Sequence, residues 1–190
     1  EAGTLTQEQL EAGLKTATAN RQLFPLVCTS ATENLGIQPL FDALLAYVPP
    51  ASERALPVVD ATSGDPATYD SADASPSALV WKTVADPFAG RITMFRVATG
   101  TVQADSSINN LSRDANERVG SVALMQGKAQ EGVNELRAGD LGTVAKLKET
   151  RTGDTLAAKE TAWRFPPFQF TDPVLSYAIE PKSRGDEEKI

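Results

Sequence analysis

Gly90-Arg91-Ile92-Thr93-Met94-Phe95-Arg96-Val97-Ala98-Thr99-Gly100, residues 90–100, decides the fold. Successive side chains of a strand point to opposite faces; here Ile92 and Met94 share one face, Phe95 and Val97 the other. Glycine stands at both ends, where it takes turn conformations at no steric cost. Outward from this strand, Gln126-Gly127, Ala138-Gly139-Asp140 and Thr152-Gly153-Asp154 mark turns between short runs at 77–85, 118–127, 139–147 and 152–156. That spacing predicts a mainly β fold: a six- to seven-stranded antiparallel β-barrel over residues 77–160, closed so that no bare edge remains. Aromatic residues at strand positions belong in a core, so Trp81, Phe88 and Phe95 are expected inside rather than as base-stacking platforms.

Around the barrel, residues 1–50 read as helix, strand, loop and helix, an α/β remnant. Thr6-x-x-Gln9 fits a capping box, and Leu10 and Leu14 follow at helical spacing. Pro25-Leu26-Val27-Cys28 is short and apolar and reads as a buried strand, with Cys28 an inert buried thiol. Ile37, Leu40, Phe41, Leu44, Leu45 and Val48 form a wide helical stripe that Pro49-Pro50 ends. Residues 51–76 are rich in Ala, Ser, Pro and Asp and are expected to be a structureless acidic linker. In residues 161–190, Trp163, Phe165, Phe168 and Phe170 make an aromatic run expected to cover a barrel end or a seam. Val174–Ile179 then alternates as a strand, and residues 186–190 open a helix.

Composition excludes several functions. The 190 residues contain no histidine and one cysteine, which removes Ser-His-Asp and Cys-His catalysis, imidazole metal sites and multi-thiolate zinc sites. The acidic residues lack the spacing of a calcium loop, so no metal site and no catalytic residue are expected. No phosphate-cradling G-x-x-x-x-G-K-[ST] loop is present, so this chain is not expected to hydrolyse a nucleotide. No apolar run approaches membrane length, no basic segment leads into an apolar one at the start, and a lone cysteine fits a reducing cytosol. A cytoplasmic monomer without membrane or DNA partners is the expectation. The formal net charge of −7 is unevenly spread: residues 77–157 carry 10 basic and 9 acidic side chains, so the acidity lies outside the barrel. RNA contact through the barrel therefore remains open, and Lys82, Arg91, Arg96, Arg118, Lys146 and Lys148 are its candidate phosphate contacts.

Three stretches, Val80-Trp81-Lys82-Thr83-Val84-Ala85-Asp86-Pro87-Phe88-Ala89-Gly90-Arg91, Phe95-Arg96-Val97-Ala98-Thr99-Gly100 and Leu147-Lys148-Glu149-Thr150-Arg151-Thr152-Gly153-Asp154-Thr155-Leu156, resemble the second domain of elongation factor G, the ribosomal translocation GTPase. The resemblance implies a barrel of the translation-factor domain II type, a preceding end of the GTPase domain, and an entry into a third domain at Pro173-Val174-Leu175-Ser176. It implies that the barrel braces the protein's own GTPase domain and docks on small-subunit ribosomal RNA. Leu26-Val27-Cys28-Thr29-Ser30-Ala31 resembles the family's last guanine-recognition motif, so Ser30, Ala31 and Thr32 are the implied nucleotide contacts. GTP and Mg²⁺ belong to the intact parent, and no cofactor to this piece. Met125-Gln126-Gly127, Ser121 and Cys28-Thr29 depart from common family residues. A paralogue of the ribosomal-protection or recycling type, or a stand-alone barrel module, is the alternative.

Overall fold

The computed structural model describes residues 3–69, 75–86, 89–127 and 129–181. Its contacts divide the chain into two units, Glu1–Pro50 and Ala51–Ile190.

In the first unit, α1 (Gln7–Ala19) starts at the expected capping box: the Thr6 hydroxyl accepts from the Gln9 amide at 3.3 Å, and the Gln9 side chain accepts from the Thr6 amide at 3.1 Å. The second helix, α2 (Ile37–Tyr47), ends at Val48, immediately before the proline pair. Neither helix has a buried residue. The expected buried strand at Pro25-Leu26-Val27-Cys28 is absent. Leu26 is 93% exposed and Cys28 lies exposed as well. A strand persists only when neighbours take its amides and carbonyls, and the described residues of this unit supply a single bridge, Ser30 to Leu35.

The second unit opens with a 3₁₀ turn, Ala51–Glu53, and thirteen strands follow among its described residues. They are β1 (Leu56–Asp60), β2 (Pro66–Tyr69), β3 (Ser77–Asp86), β4 (Gly90–Thr99), β5 (Thr101–Gln103), β6 (Ser106–Asn110) and β7 (Ala115–Val119). After them come β8 (Val122–Gln126), β9 (Ala129–Val133), β10 (Glu135–Arg137), β11 (Leu141–Ala145), β12 (Thr155–Ala157) and β13 (Trp163–Arg164). Eight strands form one curled antiparallel sheet in the order β7-β6-β12-β3-β4-β11-β8-β9, and β5 pairs with β10 separately. The residues after β5 reach towards both margins of that sheet. The Ala104 amide donates to the Asn134 carbonyl beyond β9 at 2.9 Å, and the Asp105 amide to the Gly120 carbonyl beyond β7 at 3.1 Å. Twelve buried residues among those described fill the interior, including Val80, Phe95, Val97, Val122, Leu147 and Leu156. Burying such apolar surface supplies the main favourable free energy of the fold.

Trp81 departs from expectation. Val80 lies opposite Phe95 and Lys82 opposite Met94, adjacent residues of β4, so Trp81 is the extra residue of a β-bulge and is 42% exposed. Phe95 is buried as expected, and Phe88 lies outside the described residues.

Residues 51–69 are not a structureless linker. β1 and β2 form a hairpin, and β13 pairs on the other side of β1 to complete a three-stranded sheet. The turn is held by Asp60, whose carboxylate accepts from the Ser63 and Thr62 amides, both at 2.8 Å. Those bonds hold its carboxyl below the usual carboxylate range. Val58, Trp163 and Phe165 pack with Ala98 of β4 in a second core, so half of the aromatic run covers the outside of the main sheet. Trp163 stacks 4.5 Å from Tyr69 and edge-on to Phe165 at 5.3 Å. Phe168 and Phe170 stay exposed in an edge-to-face pair. Val174–Ile179 is not a strand; its apolar side chains are exposed, and none of the described strands pairs with its backbone. The helix expected at residues 186–190 lies outside the described residues.

Candidate functional site

One end of the barrel is closed by residues 146–154, the connection from β11 to β12. Leu147 and Thr150 point inward, 2% and 0% exposed, whereas Lys146, Lys148, Glu149 and Arg151 face solvent. Lys146 takes a positive φ of 64°, a left-handed conformation that costs a side-chain-bearing residue free energy and persists only where its surroundings enforce it. Here they do. The Lys146 amide donates to the Arg91 carbonyl at 2.9 Å, and the Arg91 guanidinium donates to the carbonyls of Leu147, at 2.7 Å, and Lys148.

The amide side of the same segment is held by Glu117 of β7. Its carboxylate, 3% exposed, accepts from the amides of Lys148 at 3.0 Å, Glu149 at 2.8 Å and Thr150 at 2.9 Å, and from the Thr150 hydroxyl at 2.8 Å. Burial alone would raise the carboxyl's pKa; the four bonds to its charged form outweigh burial and leave it lowered. Asp154 fastens the far end. Its Oδ2 accepts from Asn110 Nδ2 at 2.8 Å, Arg113 Nε at 2.7 Å and the Arg151 amide at 2.8 Å. Asn110 Nδ2 also donates to the Thr150 hydroxyl at 3.2 Å, joining the two carboxylates into one network. Sequence reading missed Glu117. Its signal was parity: it shares a face with Ala115 and Val119, and Val119 is in the core.

The six candidate cations do not form one patch. Lys146 and Lys148 lie on the barrel-end segment with Arg91 beneath them, but Arg91 is only half-exposed and its guanidinium is engaged by backbone carbonyls. Lys82 and Arg96 sit on the outer face of β3 and β4, and Arg118 is exposed on the edge strand β7. Arg151, not among the six, stands exposed on the same segment as Lys148 and is the cation that sequence reading overlooked.

The loop carrying Ser30, Ala31 and Thr32 is a closed turn. Ser30 and Leu35 exchange both backbone bonds at 3.0 Å, and the Ser30 hydroxyl accepts from the Glu33 amide at 3.4 Å. Gly36 follows at φ 70°, and a β-carbon there would stand 2.6 Å from the Cys28 carbonyl oxygen, so only glycine fits. Ala31 and Thr32 are exposed at the tip, whereas the Ser30 amide is already committed to Leu35. Among the described residues no group of three or more His, Cys, Asp or Glu side chains is placed to hold a metal ion. Nor is any described helix long and apolar enough to cross a membrane.

Residues 75–159 match the family model for elongation factor G domain 2. The chain is also similar to a protein of Thermus thermophilus known from a crystal structure, at 26% identity and a TM-score of 0.67. The match covers 97% of this chain and 26% of that one, so this chain spans about a quarter of its length.

Proposed function

We propose that this chain, an elongation-factor-G-like piece centred on domain 2, serves a GTP-dependent translation factor by bracing the GTPase domain and docking on small-subunit ribosomal RNA. The observation that carries the reading is the domain 2 match over residues 75–159 on a barrel with exposed Lys82, Arg96, Arg118, Lys146 and Lys148. Cations held on a stiff scaffold neutralise backbone phosphates with little loss of freedom on binding. A barrel fixed in shape passes a rearrangement in the GTPase domain to whatever follows it as a rigid body.

Nucleotide chemistry belongs to the parent. GTP there is held with Mg²⁺, and this chain's share is the tip Ser30, Ala31 and Thr32 against the guanine. The two exposed tip residues, Ala31 and Thr32, fit a base edge, and nothing in the sequence cradles the phosphates. The chain alone is therefore assigned no hydrolysis. Met125-Gln126-Gly127 and Cys28-Thr29 favour a second reading within the same class, a divergent paralogue acting in ribosomal protection or recycling.

Co-sedimentation of the purified chain with bacterial small ribosomal subunits tests the docking. Saturable pelleting is expected, and a chain that stays in the supernatant at micromolar subunit concentrations refutes it.

A further inference from the structure

We infer that Glu117 is the positioning residue of the barrel-end cations: it fixes the backbone of residues 146–151 so that Lys146, Lys148 and Arg151 meet RNA phosphates as a preformed set. The inference rests on the docking reading above and adds which end of the barrel engages and what holds it ready.

Residues 146–151 form no strand and no helix, yet both polar edges of their backbone are engaged. The amides of Lys148, Glu149 and Thr150 converge on the Glu117 carboxylate, and the carbonyls of Leu147 and Lys148 converge on the Arg91 guanidinium. An ionised carboxylate accepting from backbone amides makes charge-assisted bonds, stronger than neutral ones. Leu147 anchors the segment in the apolar core, and the Thr150 hydroxyl links Glu117 to Asn110. Leu147 and Thr150 are buried, while Lys146, Lys148 and Arg151, with Glu149 among them, are exposed.

That arrangement separates two roles. Arg91 and Glu117 spend their charges on the segment's own backbone; Lys146, Lys148 and Arg151 are the contacts. Loosening the backbone would leave all three cations present and their charge unchanged, but each would have to be ordered on binding, which weakens association. A structural carboxylate with no such role would affect stability alone.

Glu117→Gln separates these cases. The amide keeps the shape and one acceptor oxygen, but loses the charge and turns a second acceptor into a donor facing the backbone amides. Its affinity for purified bacterial small subunits is compared with that of the wild type and Lys148→Ala, with amide hydrogen exchange read in parallel. The expected result is at least tenfold faster exchange at the amides of Lys148, Glu149 and Thr150, unchanged exchange at Val80 and Val97, and binding weakened about as much as by Lys148→Ala. If Glu117→Gln binds like the wild type while Lys148→Ala is weakened, the positioning role is overturned and docking stands. Should exchange accelerate across the whole barrel at once, Glu117 is a global stabiliser and the inference is overturned too; Thr150→Val, which removes a single bond to the carboxylate, repeats the test in a milder form. A wild-type chain that does not bind overturns both the docking reading and this inference.

Discussion

The Oε1 atom of Glu117 accepts two bonds from Thr150, one from its amide at 2.9 Å and one from its hydroxyl at 2.8 Å. Glu117 belongs to an edge strand of the main sheet and Thr150 to the segment that crosses the barrel end, so the pair joins parts of the chain 33 residues apart. Replacing Glu117 with alanine removes every acceptor at once and strands buried amides. The expected loss is about 3 kcal/mol, from bonds to a charged group and unsatisfied donors together. Urea unfolding followed by tryptophan fluorescence measures it, and a loss under about 1 kcal/mol contradicts the clamp.

The same carboxylate gives the barrel an acid limit. Burial raises its pKa, the four bonds lower it further, and the folded value ends below the ordinary 4.5. The contribution to stability is therefore complete above the unfolded value and fades as pH falls from there. It is gone below the folded value. Wild-type stability is expected to drop more steeply than that of Glu117→Gln below about pH 4.5. Parallel slopes in pH-dependent denaturation contradict this.

Gly142 faces Leu136 across the barrel interior: a β-carbon at position 142 would lie 2.1 Å from Leu136 Cδ1, and Leu136 is fully buried. Gly142→Ala is expected to cost about 1–3 kcal/mol through overpacking. Combined with Leu136→Ala it should cost clearly less than the sum of the single changes, because one substitution makes room for the other. Additive losses in a double-mutant cycle contradict the contact.

Trp81 and Phe95 test the bulge. Phe95→Ala opens the core and is expected to cost about 3–5 kcal/mol. Trp81→Ala, at an exposed position with no cross-strand partner, is expected to cost less than about 1 kcal/mol. Equal losses by denaturant titration would place Trp81 inside and remove the bulge.

What could be read in advance follows from where the partners lie. The capping box at Thr6 and Gln9, the stop at Pro49-Pro50 and the shared core face of Phe95 and Val97 on β4 depend on near neighbours, and the structure keeps each. The hairpin of β1 and β2 was hidden because Pro57 and Pro66 resemble linker punctuation and its third strand, β13, lies far along the chain at Trp163–Arg164. Pro25–Cys28 and Val174–Ile179 have strand-like patterns, but pattern alone supplies no hydrogen-bond partner. The Trp81 bulge is a property of register with β4, which the local pattern does not contain. Six cations were legible as residue types. That backbone carbonyls take up the Arg91 guanidinium while Arg151 stands exposed depends on the path of residues 146–154, which no motif announces.

The most direct test of the docking account is the salt dependence of affinity for small ribosomal subunits, measured for the wild type and for a variant with Lys146, Lys148 and Arg151 all changed to alanine. Each phosphate contact contributes roughly one unit to the slope of log affinity against log salt. The account predicts weaker binding in the variant, with a slope shallower by about two to three units. Equal affinity and equal slope would contradict it.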